Sequence, residues 1–314
     1  MTNNKQKILT IIGAGVWGSA LTTLAKRNGH LVRLWSRRSA ESLEAVIAGA
    51  DIILSAVSIA GVRPTIEKLQ ALNLPEKVVL STATKGLDPL TTCTPSQIWQ
   101  EAFPSHSIVV LSGPNLSKEI QQGLPAATVV ASNNISAAET VQAIFASENF
   151  RVYVNSDPLG TELGGTLKNV MAIAAGVCDG LQLGTNAKAG LLTRALPEMI
   201  RVGTYLGAKA STFFGLSGLG DLMATCSSPL SRNYQVGYGL AQGKSLEHIL
   251  ANLEGTAEGI NTTEVLIKIA QTKEIYVPIS YQVYRLLKGE ITPQEAVKSL
   301  MEREPRSEFH GLEI

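Results

Sequence analysis

A short apolar run, Ile8 to Ile12, leads directly into Gly13-Ala14-Gly15-Val16-Trp17-Gly18 and then into a helical stretch, Ser19 to Asn28. An isolated glycine triplet is usually only a turn. Placed between a first strand and a helix it is a dinucleotide-binding signature, because the free N–H groups and dipole at the helix start favour a pyrophosphate. Gly13, Gly15 and Gly18 are the residues expected to hold that group.

The rest of the first half supports a sheet around this turn. Apolar runs recur at Leu31 to Trp35, Ile52 to Val57, Val78 to Thr82, Ile108 to Leu111, Thr128 to Ala131 and Val152 to Val154, with helical stretches between them. Such alternation predicts a doubly wound α/β domain, a parallel sheet with helices on both faces. After Asp157-Pro158 the pattern turns helical. Leu163, Leu167, Val170, Met171, Ala174, Cys178 and Leu181 follow helical spacing within Thr161 to Leu183, and Asn186 to Leu206 continues it. Ser245 can cap a helix to about Leu253, and Thr292-Pro293-Gln294-Glu295 carries an N-cap, a proline at the first helical position and a capping-box glutamate. With 314 residues, of which 45% are hydrophobic, the chain is long enough for two domains. The expected division is a Rossmann domain over 1–156 and an all-helical substrate domain over 157–314.

Charge and cysteine usage narrow the ligand. A formal net charge of +1, with no basic run longer than Arg37-Arg38, leaves no footprint for nucleic acid or a membrane surface. Cys93, Cys178 and Cys226 are odd in number and widely spaced, with no metal-ligand cluster, as expected of reduced thiols in the cytoplasm. Met1 to Lys7 is polar and no apolar span of membrane length follows, so neither a signal peptide nor membrane insertion is expected. The expected partner is a small molecule, with no metal.

At the end of the second strand, where an acidic residue would read a ribose 2′-hydroxyl, the sequence has Ser36-Arg37-Arg38. Paired cations there suit a 2′-phosphate, which favours NADP(H) while leaving NAD(H) possible. Ligands of open α/β sheets lie beyond the carboxyl ends of the strands. Two segments emerge at that edge, Thr84-Lys85-Gly86 and Ser112-Gly113-Pro114-Asn115, and Lys85 could reach a carbonyl or phosphate oxygen.

The second half offers another cation. At about 100° per residue, Thr161, Gly164, Gly165, Ala172 and Ala175 share the face of Lys168, so only small side chains surround it. That strip serves either a long cation crossing a groove or close helix packing with the lysine snorkelling outward. Gly218-Leu219-Gly220-Asp221 reads as an acidic loop, and Ser231-Arg232-Asn233 can cap a helix and grip a phosphate. His30, His106, His248 and His310 are scattered and read as surface or core residues, so lysine must do any acid–base work.

Together, Gly13 to Gly18, Thr84-Lys85-Gly86-Leu87, Gly113-Pro114, Leu167-Lys168-Asn169 with Ala172 to Gly176, Gly218 to Leu222 and Ser231-Arg232-Asn233 resemble the bacterial-type NAD(P)-dependent glycerol-3-phosphate dehydrogenases over nearly the full chain. The resemblance implies a 6-phosphogluconate-dehydrogenase-like arrangement, a phosphorylated triose as substrate, a homodimer, and an active site in the cleft between the domains. It also implies that Lys168 donates a proton to the ketone oxygen of dihydroxyacetone phosphate, with Lys85, Asp221, Ser231 and Asn233 contacting the substrate and Arg232 its phosphate. Gly113 and Asn115 would lie near the substrate; Val16 and Trp17 of the glycine turn, Arg37, Arg38, Lys85, Ser117, Arg232 and Glu258 would line the cofactor.

The sequence departs from that family in three places. The segment between Arg38 and Asp51 has room for little more than one short helix, where relatives usually carry an additional strand. Asn115 stands where serine is common, and Ser58-Ile59 where Pro-Ser is usual. Rival readings are a two-domain 3-hydroxyacid or ketopantoate-type dehydrogenase and a non-catalytic nucleotide-binding protein.

Overall fold

The computed structural model describes residues 6–305, 307 and 308. His310 and the first five residues fall outside them. The chain forms two compact units, one of residues 1–85 and 93–162 and one of 86–92 and 163–314.

The first unit runs β1 (Ile8–Ile12), α1 (Val16–Arg27), β2 (Leu31–Trp35), α2 (Leu43–Ile47), β3 (Ile52–Ser55), α3 (Ile59–Gln70), β4 (Val79–Thr82), α4 (Pro95–Ala102), β5 (Ile108–Ser112), α5 (Ser117–Gln121), β6 (Ala126–Ala131), α6 (Ile135–Phe145) and β7 (Phe150–Asn155). It ends in the first residues of α7 (Pro158–Gly180). The sheet order is β2-β1-β3-β4-β5-β6-β7. Its two faces are covered by separate apolar clusters. One joins Leu9, Ile11 and Leu54 to α1 and α6; the other joins Ile12, Ile53 and Leu80 to α2, α3 and α4.

The sheet is parallel as expected except at one seam, where β5 and β6 run antiparallel. The cause is local. A parallel crossover is usually made by a full helix, but between Gly113 and Pro125 the chain forms only the five-residue α5. The segment after Arg38 is likewise short. It holds the single helix α2, capped by Ser42 and packed through Leu43, Val46 and Ile47, so β2 is an edge strand.

In the second unit α7 continues as the central helix and every residue from Gly160 to Ile173 is buried. Around it lie α8 (Gly184–Tyr205), a 3-10 turn (Ala210–Phe214), a π-helical turn (Leu216–Gly220), α9 (Asp221–Ser227), α10 (Arg232–Ala241), α11 (Leu246–Ala251), α12 (Glu258–Lys273), α13 (Pro278–Leu287) and α14 (Pro293–Met301). Helix ends follow the sequence signals. Ser245 Oγ accepts from His248 N–H, and Thr292 with Glu295 forms the capping box. Segment 86–92 belongs here too: Gly86 N–H donates to Thr166 Oγ1 and Asn261 Nδ2 donates to Leu87 O.

Candidate active site

The three glycines of the first turn do different work. Gly13 has φ of +118°, and a Cβ there would fall 2.6 Å from Ala56 O. Its N–H donates to Trp35 O at 2.8 Å, which ties the turn to the end of β2. A Cβ on Gly18 would fall 1.8 Å from Gly13 O, so the helix could not pack so closely with any other residue. Gly15 differs: nothing lies within 4 Å of its Cβ position. Gly15 is exposed, as is Val16 beside it, and α1 begins there with no side-chain cap. An open backbone surface over an uncapped helix start fits a pyrophosphate, the group expected here. Trp17 is half-buried against the core.

Because Gly13 is bonded to Trp35, the residues that follow β2 lie beside the glycine turn. Ser36 O accepts from Ser39 N–H, and Ser36 N–H donates to Ser39 Oγ. Arg37 and Arg38 form the tip of that turn, both exposed.

At the carboxyl ends of β4 and β5, Lys85 Nζ donates to Gly113 O at 3.5 Å. Gly113 has φ of +141° and packs on Thr128, a position a side chain could not take without strain. Asn115 Nδ2 donates to Thr128 Oγ1 at 2.9 Å, whereas its buried Oδ1 has no hydrogen-bond partner among the described residues. An orphaned acceptor there suits a ligand hydroxyl or amide. Ser117 is half-buried at the start of α5.

In the helical unit, Lys168 neither crosses a groove nor snorkels. It is 6% exposed, and its Nζ lies 2.9 Å from Oδ1 of Asp221, itself 2% exposed. Thr225 bridges the pair, its Oγ1 accepting from Lys168 Nζ at 2.5 Å and donating to Asp221 Oδ1 at 2.8 Å. The strip of small residues does serve close packing, since a Cβ on Gly164 would fall 2.8 Å from Ser217 O. The segment read as a glycine-flanked loop is the π-helical turn, and Asp221 opens the helix that follows. π-turns of this sort recur at functional sites because the extra residue re-aims side chains.

Ser231 Oγ accepts from Tyr234 N–H as the cap of α10. Asn233 is buried and its Oδ1 accepts from Gly259 N–H at 2.9 Å. That bond fixes which way the amide points. Gly259 in turn packs on Asn169 O, where a Cβ would fall at 2.7 Å. Arg232 is exposed and lies over Gly255, whose Cβ would meet its Nη1 at 2.6 Å. Burial pushes the Glu258 carboxyl up, against the opposing pull of the Arg232 guanidinium.

Other titratable groups stand outside this set. His30 and His106 are buried and His248 is exposed. Cys178 and Cys226 are buried free thiols, and burial pushes Cys226 up to about 12, which leaves it inert. Among the described residues no helix is long and apolar enough to cross a membrane, and no cluster of His, Cys, Asp or Glu could hold a metal. Thr225 and Thr166 contribute without having stood out in the sequence. Thr225 sits four residues after Asp221, one helical turn, which is the only signal the sequence carries for it.

A glycine-lined helix start on a largely parallel sheet, with a buried ammonium in a second, helical unit, defines a nicotinamide-dinucleotide-dependent dehydrogenase. Comparison with known proteins narrows the class. The model of the NAD-dependent glycerol-3-phosphate dehydrogenase N-terminus matches residues 8–46 and 38–138, and that of the C-terminus matches 157–298. The chain belongs to this family. It is 65% identical over 306 residues to glycerol-3-phosphate dehydrogenase, NAD(P)+, of Synechocystis sp., covering 98% of this chain and 96% of that one. The protein of the same name from Acaryochloris marina is 64% identical over 304 residues, 97% of this chain and 98% of the other. The crystal structure of glycerol-3-phosphate dehydrogenase from Coxiella burnetii superposes with a TM-score of 0.91 at 34% identity, covering 95% of this chain and 99% of that one.

Proposed function

We propose that this chain reduces dihydroxyacetone phosphate to sn-glycerol 3-phosphate with NAD(P)H, reversibly, and so supplies the backbone of glycerophospholipids. The observation that carries the chemistry is the buried Lys168–Asp221 pair. An ammonium held in a water-poor site stabilises the negative charge that develops on a ketone oxygen and then delivers a proton to it. The bound nicotinamide supplies the hydride for the carbonyl carbon.

The remaining residues bind and orient. Asp221 and Thr225 aim Lys168. Arg232 holds the substrate's phosphate with help from Ser231 and Asn233, as guanidinium groups at helix starts do. Lys85, Gly113 and Asn115 contact the substrate's polar groups. The open backbone at Gly15 and Val16 would hold the cofactor's pyrophosphate, with Gly13 and Gly18 shaping the turn and Trp17 beside it, and Ser117, Lys85, Arg232 and Glu258 would line the rest of the cofactor. Arg37 and Arg38 favour the 2′-phosphate of NADP(H) over NAD(H). The working form is a homodimer in the cytoplasm.

Substrate profiling tests the assignment. NADPH oxidation is expected with dihydroxyacetone phosphate and not with ketopantoate or other keto acids. Turnover driven by keto acids alone would replace this reading with the ketopantoate-type one, and binding without turnover would leave a nucleotide-binding protein.

A further inference from the structure

Helices α7 and α10 meet backbone to backbone. A Cβ on Gly176 would fall 2.0 Å from Tyr234 O, one on Gly237 would fall 1.9 Å from Ile173 O, and one on Gly180 would fall 2.6 Å from the Ala241 Cβ. Helices ordinarily set their register by packing side-chain ridges into grooves. A crossing built on glycines brings the two backbones close, and directional polar bonds beside it can fix their orientation further.

A polar triad stands at that place. Tyr234 Oη donates to Asp179 Oδ2 at 2.6 Å, and Lys188 Nζ of α8 lies 2.5 Å from the same oxygen. The Lys188 ammonium also sits 5.5 Å from the centre of the Tyr234 ring. Tyr234 is tied at both ends, since its N–H donates to Ser231 Oγ while its phenol reaches back to the last turn of α7. Arg232 and Asn233 lie between Ser231 and Tyr234 in the first turn of α10. Burial and the Asp179 carboxylate push the phenol up, so Tyr234 stays a donor.

We infer that Asp179, Lys188 and Tyr234 are positioning residues that fix the first turn of α10 on α7, and through it the guanidinium of Arg232 and the amide of Asn233. The inference rests on the reading above, in which Arg232 holds the substrate's phosphate. The Asp179 and Lys188 side chains are 29% and 22% exposed, so the ion pair adds little to overall stability and its directional bonds are what matter.

The test is a double-mutant cycle on the full chain with dihydroxyacetone phosphate and NADPH. Tyr234→Phe keeps the ring and removes the bond to Asp179. It should raise the KM for dihydroxyacetone phosphate roughly tenfold, with kcat held within about twofold. Arg232→Ala should raise the same KM further, and adding Tyr234→Phe to it should raise it by much less than tenfold, the remainder acting through Asn233. Additive effects, an unchanged KM, or a loss confined to kcat would overturn the inference. An Arg232→Ala enzyme with wild-type KM would instead remove the phosphate assignment, and the inference with it. Should Tyr234→Phe melt well below wild type, Lys188→Gln serves in its place. It should raise that KM in the same direction by a smaller factor, and an unchanged KM would overturn the inference.

Discussion

Lys168 Nζ and Asp221 Oδ1 lie 2.9 Å apart with both side chains nearly sealed from solvent. Each leaves the other an uncompensated buried charge if removed, which costs about 3–5 kcal/mol in comparable pairs. Asp221→Asn should therefore lower the melting temperature and kcat together, whereas an Asp221→Asn protein as stable and active as wild type would show the pair to be incidental.

Gly15 and Gly18 separate folding from binding. Gly15 has φ of −74° and open space above it, so Gly15→Ala should melt within a few degrees of wild type. The new methyl would cost a charged hydrogen bond to the pyrophosphate, about 1.5–3 kcal/mol, or roughly tenfold to a hundredfold in cofactor affinity. Gly18→Ala places its methyl against Gly13 O and should destabilise the fold by about 1–3 kcal/mol. Melting curves with and without NADPH distinguish the two; a reversed pattern would contradict the assignment of the glycines.

Arg37 and Arg38 form an exposed turn bonded, through Trp35 and Gly13, to the glycine loop. Replacing both with Ala should weaken NADPH more than NADH, on the order of 1 kcal/mol or more for each charged hydrogen bond to the 2′-phosphate that is removed. Equal losses for the two cofactors in a titration would mean that neither arginine reads the 2′-phosphate.

Glu162 introduces a pH dependence. Its carboxylate accepts from Ser96 N–H and Ser96 Oγ at the start of α4, and burial, opposed by those bonds, pushes it up to about 7. The native state then binds the proton more tightly than the unfolded chain does. Stability from this group is full below about pH 4.5, falls as the pH rises to about 7 and is level above that, a change on the order of 3 kcal/mol. Burial raises Glu198 as well, so it contributes with the same sign. Denaturant melts between pH 5 and pH 8 should show Glu162→Gln with a flatter profile than wild type, and parallel profiles would contradict the shift.

Much of this was legible in the sequence because its causes are local. The strand, glycine turn and helix of Ile8 to Arg27, the caps at Ser231, Ser245 and Thr292, and the short helix after Arg38 follow from hydrophobic spacing and side-chain chemistry within a few residues. The sequence suggested that Lys168 mattered but not how it is held, because its partners Asp221 and Thr225 lie more than fifty residues away on α9. The π-turn that aims Asp221 resembles a glycine-rich loop until it packs on Gly164. The antiparallel seam at β6 goes with the lack of a full crossover helix between it and β5, which strand periodicity does not register.

The proposed role of Lys168, protonating the ketone oxygen of dihydroxyacetone phosphate, is probed by NADPH oxidation at saturating dihydroxyacetone phosphate, wild type against Lys168→Ala, with the product assayed as sn-glycerol 3-phosphate. The variant should lose about a hundredfold to ten-thousandfold in kcat while its affinity for NADPH stays close to wild type. Turnover at the wild-type rate in a folded Lys168→Ala protein would rule Lys168 out as the acid.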